Sequence, residues 1–191
     1  MITAISTWIV EVLIHNKIID NEETEIYQYG FEILISSVIT CIIAIVSGII
    51  LKCLPASILY LVIFIILRSI CGGYHAKNYC QCNLIFLIVT LFSLAMFKFI
   101  MIEQFYVFHF IIIALSIIIT AVYAPVENEN KPLSKQQHFY YRIFSMVMVV
   151  LLTLISCILI IKYRNKYGIL IDSTLLIVSV SMFVTNPWRG G

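Results

Sequence analysis

The stretch YQYGFEILISSVITCIIAIVSGIIL, residues 27–51, decides the fold. It is a run of apolar and small residues whose single charge is Glu32. A hydrocarbon core about 30 Å thick accepts about 20 such residues as one helix, so the run predicts a membrane span. Further runs of the same kind follow at residues 55–70, 84–101, 105–124, 139–161 and 169–184, each ended by charge, Pro or Gly. Residues 55–70 are short enough for a tilted or partly re-entrant crossing. The brief hinge after Met101 makes the third and fourth spans antiparallel neighbours. Tyr27, Tyr29, Tyr74, Tyr79, Tyr106, Tyr123, Tyr140, Tyr141, Tyr163, Tyr167 and Trp188 fall near segment ends, as an aromatic belt requires. The expected fold class is an all-α integral membrane protein: six transmembrane helices in a single membrane-embedded domain over residues 1–191.

Composition points the same way. Hydrophobic residues make up 62% of the 191 and charged residues 12%, against about 45–50% and about 25% in soluble domains. An ordinary soluble domain and a disordered chain are both excluded. A formal charge of +2, with Lys and Arg scattered along the chain, is too small to argue for nucleic acid, and none is expected as a partner. Cys41 and Cys157 lie inside apolar runs, where a thiol behaves as a small hydrophobe, and no disulfide framework is expected.

The opening residues 1–22 lack a basic n-region and a small-residue cleavage site, and read as an interfacial amphipathic helix rather than a signal peptide. Thr3, Ser6, Thr7, Glu11 and His15 form one flank, and Ile5, Trp8, Ile9, Val12 and Leu13 the other. With the N-terminus inside, Lys17, Arg68, Lys77, Lys131, Lys135, Arg142 and Arg189 face the cytoplasm, and Lys52, Lys98, Lys162, Arg164 and Lys166 face out. That balance sets the expected orientation, although the cluster at 162–166 opposes it. No internal repeat supports an inverted-repeat transporter.

Reactive side chains concentrate in RSICGGYHAKNYCQC, Arg68 to Cys82. Gly72 and Gly73 permit a backbone turn there. His75 and Cys82 are seven residues apart, about 10 Å along an unbroken helix, whereas a base and its nucleophile must come within about 2.6–3.2 Å. A catalytic pair therefore needs a bend between Tyr74 and Gln81, with Cys82 in the first turn of the third span, where a helix N-terminus favours the thiolate. The plain alternative is that both are boundary and packing residues. Cys71, His75, Cys80 and Cys82 together could bind zinc, but C-x3-H-x4-C-x-C is not a usual structural spacing. Glu32 inside its span needs a partner: it orients His75 as a third catalytic member, pairs with Arg68, or is a boundary carboxyl. It is the main ionisable exception within the spans; His109 and His138 read as interfacial residues, and His15 as the polar edge of the first helix.

The sequence resembles the accessory gene regulator B (AgrB) peptidases, which process quorum-sensing propeptides. The likeness is carried by EIYQYGFEIL (Glu25 to Leu34), by RSICGGYHAKNYCQC, and by APVENENKPLS (Ala124 to Ser134), with matching length and span count. The resemblance implies that Cys82 is the nucleophile and His75 the base, and leaves Cys71 and Cys80 without a role. It implies no cofactor and no metal, a homodimer in the lipid bilayer, and an AgrD-like propeptide substrate cut before its charged tail through an acyl-enzyme thioester. The peptide's own thiol then closes a thiolactone. Candidate substrate contacts are Arg68, Gly72, Gly73, Lys77 and Lys131; Lys135 and Arg142 could join them or simply anchor the boundary. The competing classes are a small multi-spanning transporter or channel and a structural membrane partner of a signalling complex.

Overall fold

The structure, a computed structural model, describes residues 2–73, 78–126 and 133–185. Its helices are α1 (Ile2–His15), α2 (Thr24–Ile50), α3 (Leu54–Cys71), α4 (Tyr79–Phe99), α5 (Ile102–Tyr123), α6 (Lys135–Cys157) and α7 (Tyr167–Thr185). A 3-10 turn at Asn21–Glu23 precedes α2 and a π turn at Ile158–Lys162 follows α6. There is no strand among the described residues. Six of the helices are long and apolar enough to cross a membrane, which is the all-α membrane fold expected.

Two helices begin four or more residues earlier than their apolar runs. α4 starts at Tyr79, ahead of Leu84, because the Asn78 side chain accepts the Gln81 amide at 2.8 Å and caps the polar first turn. α6 starts at Lys135, ahead of Phe139, because Ser134 and Gln137 form a capping box: Gln137 N donates to Ser134 Oγ at 3.2 Å and Ser134 N to Gln137 Oε1 at 3.0 Å. Hydropathy marks where hydrocarbon begins, whereas caps mark where the helix does.

The chain forms two compact units, Met1–Ile43 with Ala76–Leu87 and Ala44–His75 with Ile88–Gly191. In the first, α1 meets α2 through its polar flank. Ser6 is fully buried with its Oγ 3.4 Å from Glu32 Oε1, and Gln28 Nε2 donates to Thr7 Oγ1 at 3.3 Å. Ile5, Trp8 and Val12 point outward, Trp8 being 64% exposed. An apolar flank turned away from the protein suits surroundings of lipid. Ser36 and Asn83, 3.4 Å apart, tie α2 to α4 in the same unit.

The second unit is built around α7. Of its most apolar stretch 61% is buried, against 17% for the helix that contains residues 27–50. Every residue from Ile169 to Leu175 is buried, including Asp172, Ser173 and Thr174. Phe105, Ile112, Ile160 and Ile169 form its apolar core. Helices in lipid gain little from hydrophobicity against one another and instead approach closely through small and hydroxyl residues. Thus Ser57 Oγ donates to Ala44 O at 2.5 Å where α3 crosses the end of α2, and a Cβ at Gly48 would overlap Ser57.

Candidate functional site

The reactive segment opens at the end of α3. Gly72 N closes the helix on Arg68 O at 3.1 Å, and the backbone then turns through φ 75° at Gly72 and φ 139° at Gly73. With ψ −152° at Gly72, this is a region that side-chain-bearing residues avoid. The turn is held from two sides. Val126 N donates to Cys71 O at 2.9 Å, and the space where a Gly72 side chain would stand is filled by the Val126 carbonyl. Gly73 is buried against Ser181 of α7, with an Arg68 guanidinium nitrogen beside it. Ser145 Oγ lies 3.4 Å from Ile70 O, and Arg142 Nη2 donates to Ala121 O at 3.0 Å. The described starts of two stretches singled out in the sequence, 68–82 and 124–134, are therefore joined by a backbone hydrogen bond.

Arg68 is half-buried, its guanidinium 5.9 Å from the centre of the Phe64 ring. Lys135 and Arg142 are exposed. His75, Lys77 and Lys131 lie outside the described residues.

Burial sorts the sulfurs of this segment. Cys71 is wholly inaccessible, Cys80 is exposed, and Cys82 is half-buried in the first turn of α4, its amide donating to Asn78 O at 3.1 Å. In the same unit as Cys82, Tyr79 Oη donates to Glu32 Oε2 at 3.0 Å. Glu32 thus carries a phenol on one oxygen and the Ser6 hydroxyl close to the other. Sequence reasoning placed Tyr79 in the aromatic belt and missed its bond to Glu32. The available signal was a phenol one helical turn before Cys82, facing a carboxylate that needed a donor.

A second polar centre corrects an expectation. His109, read as interfacial, is fully buried within α5; its Nδ1 lies 2.5 Å from Asp172 Oδ2, and Ser156 Oγ donates to Asp172 Oδ1 at 2.6 Å. Glu32 is therefore not the main exception among the spans. Asp172 sits inside an apolar run, where hydropathy averaging hides one acid, and its partner is a helix away in sequence. Among the described residues no group of three His, Cys, Asp or Glu is placed to hold a metal.

These features define a multi-pass helical membrane protein with a glycine-turned, cysteine-bearing segment at a span end. Sequence comparison makes the class specific: the Accessory gene regulator B (AgrB) family matches residues 6–184, and the chain belongs to that family, which serves accessory gene regulator quorum sensing. Two similar proteins come from Clostridium perfringens, both with names that call them AgrB-like. One, of strain 13 / Type A, is 28% identical over 142 residues, 72% of this chain and 66%, just under two thirds, of that protein. The other, of strain SM101 / Type A, is 26% identical over 163 residues, 82% of this chain and 76% of its own. A Clostridium beijerinckii protein, also named as AgrB-like, is 28% identical over 179 residues, 90% of this chain and 84% of its own. No solved structure matches the chain.

Proposed function

We propose that this protein is a membrane cysteine endopeptidase that removes the C-terminal tail from an AgrD-like propeptide and closes the signal peptide into a thiolactone or lactone. The observation that supports the reading is the Val126 N to Cys71 O hydrogen bond, which ties the end of α3, where the reactive stretch opens in sequence, to the segment that begins at Ala124. A scattered set of boundary residues gives no reason for these two stretches to meet.

In this reading the Cys82 thiolate attacks the scissile carbonyl. His75 takes the thiol proton and returns it to the departing amine of the tail, leaving an acyl-enzyme thioester. The substrate's own thiol or hydroxyl then attacks the thioester and the Cys82 thiol is regained. With a thiol the exchange of one thioester for another is nearly balanced, so closure needs no ATP, provided that tethering outpaces water. Glu32 and Tyr79 fix the entry to α4, on which Cys82 stands, and Arg68, Lys77 and Lys131 receive an acidic tail on the cytoplasmic side. A homodimer is the working assembly.

The test is incubation of the protein in lipid with a propeptide from an adjacent reading frame, followed by mass spectrometry. Released tail and a covalent adduct on Cys82 support the reading. An adduct on Cys80, or turnover that survives Cys82→Ala, overturns the site. The His109–Asp172 pair is the observation that favours the second reading, a transporter; that reading gains if peptide crosses the bilayer uncut.

A further inference from the structure

The α5 face that carries His109 carries two more buried polar groups, Ser116 and Thr120. Successive residues on a helix turn by 100°, so positions seven and eleven residues beyond His109 return to within about 20° of it. The three lie in one row, about 16 Å long at 1.5 Å per residue. All three side chains are fully buried, and His109 Nε2, Ser116 Oγ and Thr120 Oγ1 have no hydrogen-bond partner among the described residues. α5 packs most extensively on α7. The two run parallel, since His109 meets Asp172 near their starts and the Tyr123 and Phe183 rings meet, centres 5.9 Å apart, near their ends.

Buried polar atoms need partners, and unmade bonds in a low-dielectric interior are costly. One such atom could be an accident of packing; three on one helical row, beginning at an ionisable pair, call for a common partner. The row ends one turn before Ala124, whose amide donates to Thr120 O at 3.0 Å, and Val126 then bonds to Cys71. Its far end therefore adjoins the glycine turn.

We propose that the seam of α5 holds internal water, and that His109 and Asp172 bind a proton delivered along it. The balance is simple. Neutral imidazole with Asp172 carboxylate carries one net negative charge; uptake of one proton from water makes the pair neutral overall and releases hydroxide to the file, which equilibrates with bulk. Either state of the ring leaves Nε2 as a donor or an acceptor requiring a partner, and water serves as both. The groups facing the pair are few. From α6 come Ser156 on Asp172 and the neighbouring Cys157 thiol, within electrostatic reach of Asp172. The next residue of α7, Ser173, is bonded to Ser93 of α4. No Lys or Arg makes an ion pair with Asp172 among the described residues. This site stands independently of the peptidase reading.

The experiment is solid-state NMR of the full chain, labelled with 15N-histidine, in phosphatidylcholine bilayers. The chain has four histidines, and His109→Gln identifies the His109 signals by their loss. Expected are magnetisation transfer from water to Nε2 of His109, and a ring shift that changes with pH. Asp172→Asn keeps the shape and abolishes the titration of the pair as a unit. Ser116→Ala with Thr120→Val leaves the Nδ1 bond to Asp172 in place and slows water transfer to Nε2 by about tenfold. Absence of water transfer in the unaltered chain, or transfer unchanged in the Ser116/Thr120 variant, overturns the water file. A His109 shift that is flat with pH overturns the proton site. Since the unaltered protein gives the primary readout, misfolding of a variant does not rescue the proposal.

Discussion

Replacing Gly72 by Ala tests whether the turn at the end of α3 is an architectural necessity. At φ 75° and ψ −152° the backbone is in a region where a side-chain-bearing residue costs about 1–3 kcal/mol. The new Cβ would also overlap the Val126 carbonyl, which is backbone and cannot rotate aside. Displacing it puts the Val126 to Cys71 hydrogen bond at risk and adds an overpacking cost of about 1–3 kcal/mol. The sum is about 2–6 kcal/mol, a large part of a typical folding free energy of about 5–15 kcal/mol. The assay is denaturant unfolding in mixed micelles, followed by tryptophan fluorescence, alongside tail release from a propeptide. Gly30→Ala is the control: it has open space around its Cβ position within α2, and gains up to about 1 kcal/mol of helix propensity. A Gly72→Ala protein whose stability stays within about 0.5 kcal/mol of the parent, the range of ordinary surface changes, refutes the reasoning.

Cys82→Ser is expected to abolish the acyl-enzyme adduct while Cys80→Ser leaves it intact, read by intact-mass spectrometry after substrate addition. Tyr79→Phe and Glu32→Ala should each destabilise by about 1–3 kcal/mol, and the double variant by less than their sum, because they break the same 3.0 Å bond; strict additivity in unfolding experiments would show that the pair does not interact. Burial holds the Cys53 thiol above its ordinary range, with Lys98 pulling partly back. On raising the pH, the unfolded chain therefore loses this proton first, so the stability contribution is complete below about pH 8.5 and declines as pH rises beyond it. Cys53→Val should flatten that alkaline decline in unfolding free energy, and an unchanged slope would assign it to other groups.

Membrane insertion imposes a requirement that a single segment meets by itself: an apolar helix of sufficient length. Hence the runs from Tyr27 onward declared the six spans without help from any contact, and the polar interval Arg68 to Cys82 stood out against them. The local signals at Asn78 and Ser134 were equally readable as caps, and would have moved two helix starts to their observed places. Pairings between distant residues are another matter. Glu32 had several chemically reasonable partners, and only packing within its unit selected Tyr79 and Ser6. The orientation of α1 is likewise a tertiary outcome, since a polar flank can face water or another polar helix and the one-dimensional pattern is identical in both cases. Asp172 and His109 make the point most plainly: each is an isolated polar residue on an apolar helix until α5 and α7 come together, because desolvation and pairing depend on which neighbours surround a group in space. The chain alone determined how many helices cross and where its reactive residues are concentrated. Packing decided which buried polar groups share a hydrogen bond, since that energy exists only once both partners have left water.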